Sequence, residues 1–311
     1  MSAAPAGRLS PSTIALLTLP PLFWAGNAVV GRLMNQTVPP STLNFLRWGL
    51  ALLILLPVAG WVLRPGSSLW PQWRRFALLG ALGVGSYNAL QYLALKTSTP
   101  LNVTLVASSM PVWMLLVGRI GFGAPVTPRA ALGAACSLAG VAVVLSGGSL
   151  AHLLAVKLVP GDGWILLAAL VWAWYSWLLV RPPQGGYAPD IKADWAAFLM
   201  AQMVMGLVWS GGLAAAEWLY LPSDTRIVWG WPLAAALLYV AIFPSLLAYR
   251  SWAAGVGRVG PAVASFFVNL TPLFAAVLSG AMLGEWPQWF HVAGFGCIVA
   301  GIVISSPRKS R

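Results

Sequence analysis

The sequence predicts an all-α polytopic membrane protein whose ten transmembrane helices form two inverted five-helix repeats. Three observations predict this fold: apolar stretches long enough to cross a bilayer core of about 30 Å, positive charge concentrated in alternate connections, and an internal match between the two halves. Of the 311 residues, 59% are hydrophobic and 8% are charged, whereas a soluble domain carries about 25% charged residues. The short connections leave no length for a soluble domain.

The apolar stretches follow one another along the whole chain, separated by short segments that contain Pro, Gly and charged residues. The first stretch follows Arg8 and resembles a signal peptide, but its apolar run from about Ile14 to Val30 is longer than a typical signal-peptide core. Because nine further stretches follow, a retained first helix is favoured. The ten stretches begin near Ser12, Ser41, Trp73, Ser98, Pro128, Gly163, Asp194, Trp229, Val259 and Trp286.

Lys and Arg residues sort by the parity of the connection in which they lie. The N-terminus, the even-numbered connections and the C-terminus hold twelve of them, and the odd-numbered connections hold four. Cytoplasmic loops carry the excess of Lys and Arg, so both termini are predicted to lie in the cytoplasm, with the protein in a bacterial inner (plasma) membrane. The same sorting accounts for the net charge of +12 without a basic face, so no nucleic-acid partner is expected.

The connections divide the chain into five segments. Residues 1–11 and 307–311 are predicted cytoplasmic tails, residues 12–146 and 162–306 are the two five-helix repeats, and residues 147–161 are the loop between them. A unit with five crossings places its second copy in the opposite orientation, which is the plan of many secondary transporters. A shift of 161 residues pairs Pro100 with Pro261, Pro111 with Pro272, Gly123 with Gly284, Gly133 with Gly294, Cys136 with Cys297, Ala139 with Ala300 and Gly140 with Gly301.

Polar side chains recur at matching places in the fourth and ninth stretches, where each trio occupies positions i, i+4 and i+7 and therefore one helical face. Interhelical hydrogen bonds explain the Ser and Thr residues as well as a cavity does, whereas an Asn amide favours a cavity. The proline of each trio is a predicted hinge, with a static kink as the alternative. The trios are Thr104, Ser108 and Pro111, and Ser265, Asn269 and Pro272.

The third stretch carries four polar or amphipathic side chains within six residues, which is unusual at membrane depth. Tyr87 and Gln91 share one helical face, and Asn88 and Tyr92 share the next. We expect all four to line a cavity, together with Asn27 of the first stretch and Asn44 near the start of the second, close to an interface.

The eighteen tryptophans fall into two classes. Those near predicted span ends, among them Trp195 and Trp252, fit the aromatic belt at the headgroup region. Trp24 and Trp172 lie deeper, at matching places in the two halves, and Tyr175 shares a face with Trp172. We hypothesise that these rings wall a cavity for apolar or aromatic side chains; simple packing bulk is the alternative.

Arg47 and Arg250 are the charged residues nearest the bilayer interior. A charge there normally snorkels, pairs or serves a site, so either guanidinium is a candidate partner for a substrate carboxylate. The acidic residues lie in loops or near span ends, which predicts no carboxylate-based proton relay. Cys136 and Cys297 each begin a small-xxx-small pair suited to close helix packing. No metal-ligand spacing occurs, and no metal or cofactor is expected.

The chain resembles the drug/metabolite transporter superfamily, specifically its EamA-type exporters, over essentially its whole length. Its length and aromatic-rich stretches are most similar to YddG-like exporters of aromatic and other amino acids. It departs from the family pattern at Ala124, which aligns with Glu285 where the family often has a second Glu. The resemblance rests on Trp24-Ala-Gly-Asn27, Arg47, Tyr92-Leu-Ala-Leu95, Pro111, Trp172, and Pro272 followed by Gly284-Glu285.

Three functions compete. A solute exporter that works by alternating access explains the repeat, the polar residues at membrane depth and the resemblance. An intramembrane enzyme would need a nucleophile, paired acids or a metal cluster at that depth, and the sequence offers none of them. A membrane scaffold or receptor leaves the paired prolines and polar trios unexplained.

The expected substrate is a small neutral or zwitterionic molecule, because few charges lie near the predicted cavity and phosphorylated substrates usually call for several Lys or Arg residues. The resemblance implies amino acids, including aromatic ones, moved down their own gradient or by exchange without ATP. Cationic or aromatic drugs are the alternative, since aromatic cages bind cations. Ten spans suffice for one chain to enclose a pathway, which is compatible with a monomer.

Overall fold

A computed structural model describes residues 9–34, 37–98, 100–283 and 288–306. Most of the two predicted tails, the Gly284-Glu285 motif and the start of the tenth stretch at Trp286 lie outside the described residues. The described part of the chain is helical and contains no strand. Its helices are α1 (Pro11–Leu33), α2 (Pro40–Ala59), α3 (Trp73–Leu79), α4 (Tyr87–Thr97), α5 (Pro100–Ala107), α6 (Met110–Phe122), α7 (Pro128–Leu145), α8 (Leu150–Leu154), α9 (Pro160–Val180), α10 (Pro189–Ala193), α11 (Trp195–Tyr220), α12 (Trp231–Val240), α13 (Ala248–Val268), α14 (Thr271–Leu283) and α15 (Trp289–Ser305).

Seven helical runs of the described residues are long and apolar enough to cross a membrane. Large apolar side chains are exposed on such helices, including Ile120 and Val208, each at 75%, as expected where lipid rather than water covers the surface. The chain is therefore an integral membrane protein. The runs are Pro11–Gly31, Pro40–Leu63, Val103–Phe122, Pro128–Leu145, Pro160–Val180, Trp195–Tyr220 and Trp231–Val268.

Two helical passages contain a π-helical segment at matching positions. α3 continues through Gly80–Ser86 into α4, and α12 continues through Ala241–Leu247 into α13. Each segment has seven residues, and the second begins at the position that the 161-residue shift assigns to the first. A π turn takes an extra residue into the helix and is frequent at functional sites. Within it the backbone hydrogen bonds join residue i to residue i+5 instead of i+4.

Both predicted hinge prolines lie directly after a helix break. Residues 108–109 separate α5 from α6, and residues 269–270 separate α13 from α14. Pro111 and Pro272 are the second residues of α6 and α14, where a missing amide N–H removes no helical hydrogen bond. The prolines therefore cost no helical hydrogen bond; hinge motion at the two breaks stays a prediction, as does the alternative of a static kink.

The most extensive helix pairing joins α7 to α15 through four glycines. A Cβ added at Gly301 would lie 2.7 Å from the carbonyl oxygen of Gly133, and one added at Gly140 would lie 2.7 Å from that of Gly294. Because Gly133 meets Gly301 while Gly140 meets Gly294, the two helices run antiparallel. We call these four residues the glycine seam; it is the close packing of small residues that the sequence predicts.

The connection between α9 and α11 is hydrogen-bonded to the connection between α2 and α3. The Ala188 amide donates to Gln72 Oε1 at 2.9 Å, and Ser68 Oγ donates to Asp190 Oδ2 at 2.9 Å. The Arg75 guanidinium donates to the backbone carbonyls of residues 184 and 186. The first and second halves of the chain are thus joined at this end of the bundle.

Lys192 in this connection should react with amine-directed acylating reagents at unusually low pH. Although the residue as a whole is exposed, its Nζ donates to the Leu179 carbonyl at 3.1 Å and lies 4.0 Å from the centre of the Phe198 ring. Burial of the amine lowers the pKa of Lys192 from 10.5 to about 8. Because the neutral amine is the reactive form, we expect half-maximal acylation near pH 8, measured by peptide mass spectrometry across a pH series. Phe198→Ala should move that midpoint upward, and a native midpoint near the ordinary value would contradict the burial argument.

Candidate functional site

Seven aromatic rings from five helices, α1, α2, α4, α9 and α13, meet in the interior of the bundle. Trp172 of α9 lies at the centre and is 1% exposed. Rings from all four other helices surround it or touch its neighbours, because each helix presents an aromatic residue there. We call this set the central aromatic cluster; it consists of Trp24, Trp48, Tyr87, Trp172, Tyr175, Tyr249 and Trp252.

The rings of the cluster are in direct contact. Five ring centroids lie within 5.6 Å of the Trp172 centroid, inside the range of favourable aromatic pairs. A ligand side chain can enter between these rings only if they move apart. The centroid distances from Trp172 are 4.9 Å to Tyr87, 5.0 Å to Tyr175, 5.3 Å to Trp24, 5.4 Å to Tyr249 and 5.6 Å to Trp252.

A buried arginine adjoins the cluster. Arg47 of α2 is 1% exposed, and its Cζ lies 5.2 Å from the centre of the Trp48 ring. Its Nε donates to Ser245 Oγ at 3.0 Å, and its Nη1 donates to Asn27 Oδ1 at 3.3 Å. No carboxylate among the described residues pairs with it, since the hydrogen-bonded acids there, such as Glu217, bond to other groups. A buried charge without a counterion is costly, and at membrane depth it indicates a functional site.

The two π-helical segments border this site through backbone carbonyl oxygens. The Tyr249 hydroxyl donates to the Gly83 carbonyl of the first segment, and Trp24 Nε1 donates to the Pro244 carbonyl of the second at 3.3 Å. Ser245, which receives the Arg47 bond, donates in turn to the Val240 carbonyl at the end of α12, at 2.7 Å. Side chains of the site thus bond to the backbone in and next to the π turns.

The structure brings seven of the predicted site residues together. Asn27 accepts a hydrogen bond from Arg47, and Asn88 is 5% exposed and lies near the Tyr249 hydroxyl. The Tyr175 hydroxyl donates to Gln202 Oε1 at 3.0 Å. The seven are Trp24, Asn27, Arg47, Tyr87, Asn88, Trp172 and Tyr175.

Other predicted residues have their described contacts elsewhere. Arg250 is exposed and stacks on Trp195 with its Cζ 4.6 Å from the ring centre, so it does not join Arg47. Asn269 Nδ2 donates to Ser137 Oγ of α7 at 2.8 Å. Ser108 and Ser265 donate to carbonyls of their own helical turns, at Leu105 and Ala262. Thr104 and Gln91 are half-buried, and Tyr92, 8% exposed, lies against α1 near Gly31.

Sequence reasoning missed three members of the site, Ser245, Tyr249 and Trp252, and counted Trp48 among the deeper rings without singling it out. The assignment of Trp252 to the aromatic belt is wrong: it is fully buried, and its Nε1 donates to Ser176 Oγ at 3.1 Å. The helical passage that begins at Trp231 continues to the break at Gly260, so Trp252 lies inside the passage rather than at its end. The 161-residue shift could have identified Tyr249 and Trp252, because it pairs them with Asn88 and Gln91, two predicted cavity residues of the third stretch.

Comparisons with known proteins give one consistent result. The model of the EamA-like transporter family matches residues 11–146 and again residues 159–306. An uncharacterized transporter of Archaeoglobus fulgidus is 26% identical over 304 residues, 97% of this chain and 99% of the relative. A probable terminal-alkyne amino-acid exporter of Streptantibioticus cattleyicolor is 25% identical over 237 residues, 75% of this chain and 72% of the relative.

A solved structure described as "Crystal structure of protein" has the same fold. It superposes with a TM-score of 0.72 at 20% identity and covers 95% of this chain and 97% of its own. Within the described residues, no group of three or more His, Cys, Asp or Glu side chains is arranged to hold a metal ion. With a family match over nearly its whole length, in two consecutive copies, the chain belongs to the EamA-like transporter family and is a membrane transporter rather than an enzyme.

Proposed function

We propose that this chain is a secondary transporter that exports small neutral or zwitterionic metabolites by alternating access, without ATP. Its substrates are amino acids, including aromatic ones, and it works as a facilitator or exchanger in the bacterial inner membrane with both termini in the cytoplasm. The observation that carries the proposal is the buried Arg47 guanidinium, which lacks a carboxylate partner in the described part of the chain and adjoins the central aromatic cluster.

An amino acid complements both parts of this site. Its carboxylate supplies the counterion for Arg47, in a charge-assisted and frequently bidentate pair. An apolar or aromatic side chain takes ring contacts in the central aromatic cluster. Cationic drugs fit less well, because a second positive charge beside a buried guanidinium is repelled strongly at low dielectric.

The geometry of the longest helical run supports the proposal of ten crossings. As one straight helix, the 38 residues of Trp231–Val268 would span about 57 Å, nearly twice a bilayer core of about 30 Å. Gly260 interrupts the run with φ 81° and ψ 160°, so the run divides into an eighth and the start of a ninth crossing. The passage Trp73–Thr97 and α15 supply the third and tenth.

The glycine seam supports the inverted repeat. The 161-residue shift carries Gly133 onto Gly294 and Gly140 onto Gly301. It therefore exchanges the two contacts of the seam, Gly133 with Gly301 and Gly140 with Gly294, as a two-fold axis does in a symmetric dimer. Because the paired helices are antiparallel, this axis lies in the membrane plane, which is the symmetry of inverted-repeat transporters.

Alternating access then requires the central aromatic cluster to open and close. The rings are in contact in this structure, so substrate entry needs a second arrangement of the helices that carry them. The breaks before Pro111 and Pro272 and the two π-helical segments are the places where the helices can adjust. All seven rings come from one chain, so we take the monomer as the transport unit.

The proposal is tested by counterflow in proteoliposomes. Vesicles preloaded with an unlabelled amino acid should accumulate the same labelled amino acid transiently, and aromatic amino acids should compete more strongly than cationic aromatic compounds. Competition by the cations alone would favour drug export instead. Uphill flux driven by a pH gradient, and lost on mutation of one acid, would contradict a facilitator or exchanger.

Replacement of Trp172 by alanine should impair transport of aromatic amino acids more than that of small ones. The central ring supplies contacts to five neighbours, and a Trp→Ala change in a core also costs about 3–5 kcal/mol of stability. Trp172→Phe is therefore measured beside it, as the milder truncation. Trp209→Ala on the exposed face of α11, where Trp209 is 55% exposed, is the matched control. Equal counterflow in Trp172→Ala and native protein would show that the central aromatic cluster takes no part in substrate binding.

A further inference from the structure

Three neighbouring residues of α2 bury polar atoms, two of which have no hydrogen-bond partner among the described residues. Asn44, Arg47 and Trp48 are each at most 1% exposed. The Asn44 amide group donates to the Val84 carbonyl of the first π-helical segment at 3.3 Å. Its Oδ1, however, has no hydrogen-bond partner among the described residues, and neither has Trp48 Nε1. One buried acceptor and one buried donor are thus left unpaired beside a buried cation.

Unpaired buried polar groups are rare in native proteins, and each calls for an explanation. Asn44 and Trp48 are separated by four positions and Asn44 and Arg47 by three, so the three side chains are neighbours on one side of the helix. Arg47 and Trp48 are also in direct contact, with the guanidinium carbon 5.2 Å from the ring centre. The helix therefore presents a donor pair, Arg47 and Trp48, next to a lone acceptor, Asn44.

These donors and this acceptor match the two charged groups of an amino-acid zwitterion. A carboxylate accepts hydrogen bonds only, whereas an ammonium group has three donors and no acceptor. We propose that Asn44 is a specificity-determining residue whose Oδ1 accepts a hydrogen bond from the substrate ammonium group while Arg47 and Trp48 Nε1 bind the carboxylate. This inference rests on the proposed function and extends it, since Arg47 alone would accept any small carboxylate.

Asn44 Oδ1 disfavours any ligand that brings no N–H donor, because such a ligand leaves the buried oxygen without a hydrogen bond. A monocarboxylate without an amino group pairs with Arg47 but leaves Asn44 Oδ1 buried and without a donor, which disfavours that complex. A trimethylammonium derivative keeps the positive charge and loses every N–H, so it fails for the same reason. Attraction between the ammonium charge and the surrounding rings would instead bind the trimethylated ligand at least as well.

The test compares three ligands as competitors of counterflow: the amino acid with the fastest counterflow, its des-amino analogue and its N-trimethylated analogue. In native protein we expect the amino acid to compete at least about tenfold better than either analogue, as for loss of one hydrogen bond to a charged group. In Asn44→Leu the three ligands should compete within about threefold of one another, because the acceptor is gone.

Several outcomes overturn the inference. Equal competition by the amino acid and its trimethylated analogue in native protein would exclude a hydrogen bond to the ammonium group, and needs no variant. Asn44→Leu that folds and keeps the native preference would exclude Asn44. If Asn44→Leu does not fold, as its lost bond to Val84 could cause, the native comparison still tests the hydrogen bond to the ammonium group. Failure of amino-acid counterflow in native protein overturns the proposed function itself, which is a distinguishable result.

Discussion

Replacement of Arg47 by methionine should abolish amino-acid counterflow and leave the protein at least as stable as before. Truncation of one partner of a buried, hydrogen-bonded charge pair costs about 2–5 kcal/mol of binding, which corresponds to an affinity loss of about 30-fold to several thousand-fold. A substrate carboxylate that has lost its guanidinium partner faces that cost. Counterflow in Arg47→Lys should fall between that of native protein and that of Arg47→Met, because lysine keeps the charge and lacks the planar guanidinium.

The stability half of this expectation separates a binding role from a structural one. In the described structure Arg47 carries a buried charge without a counterion, and its desolvation opposes folding. Methionine fills a similar length of apolar space. Ser245 keeps its bond to the Val240 carbonyl after the change. Asn27 Oδ1 loses its Arg47 donor, which is a smaller cost than burial of an unpaired charge. We therefore expect an equal or higher apparent Tm in detergent, followed by tryptophan fluorescence.

Arg250→Met is the matched control for Arg47→Met. Arg250 is the second arginine that the sequence places near the bilayer interior, but it is exposed and stacked on Trp195. Its replacement should leave counterflow near the native rate. A collapse of Tm in Arg47→Met, or equal losses of transport in the two variants, would show that Arg47 supports the fold rather than the substrate.

An added methyl group at Gly301 should destabilise the protein, whereas one added at Gly296 on the same helix should not. A Cβ at Gly301 would stand 2.7 Å from the Gly133 carbonyl oxygen and 2.9 Å from Ser137 Cβ. Relief of that overlap requires α7 and α15 to separate, and overpacking of this kind costs about 1–3 kcal/mol. At Gly296 the added atom meets nothing within 4 Å.

Each of the two variants adds one methyl group to α15, at positions five residues apart. Gly→Ala in a helix is otherwise stabilising by about 1 kcal/mol, so Gly296→Ala should show an unchanged or raised apparent Tm. Gly301→Ala should unfold at clearly lower temperature in the same assay. Equal Tm values for the pair would mean that the glycine seam does not hold the two helices together.

The sequence predicts a helical membrane protein well because apolar length is a local property that requires no knowledge of neighbouring helices. The parity of Lys and Arg predicts the side of the membrane on which the termini lie, and that side stays a prediction. The internal shift rests on Pro, Gly and Cys, which mark backbone features, and the same offset recurs in the π-helical segments and in the breaks before Pro111 and Pro272. The π turns themselves left no mark in composition, since no side-chain pattern specifies one extra residue in a helix.

The site is predicted only in part, because a sequence shows how deep a residue lies more readily than which way its side chain points. Arg47 and Arg250 are both predicted to lie near the bilayer interior, yet the first side chain faces other helices and the second faces the surface. Likewise, the helical period groups Ser265 with Asn269 without saying which neighbour they meet. Asn269 meets Ser137 of α7, a contact 132 positions away in the chain that only the packed bundle reveals.

The π-helical segments carry one more consequence, which concerns rotation about the helix axis. Each residue advances an α-helix by about 100°, so one inserted residue turns everything beyond it by that angle. Tyr87 and Asn88 follow the first segment directly, and Tyr249 and Trp252 follow the second. Deletion of a single residue from either segment would swing those side chains from the interior toward lipid. Chain register in these two turns, as much as the identity of the rings, decides what the transported molecule meets.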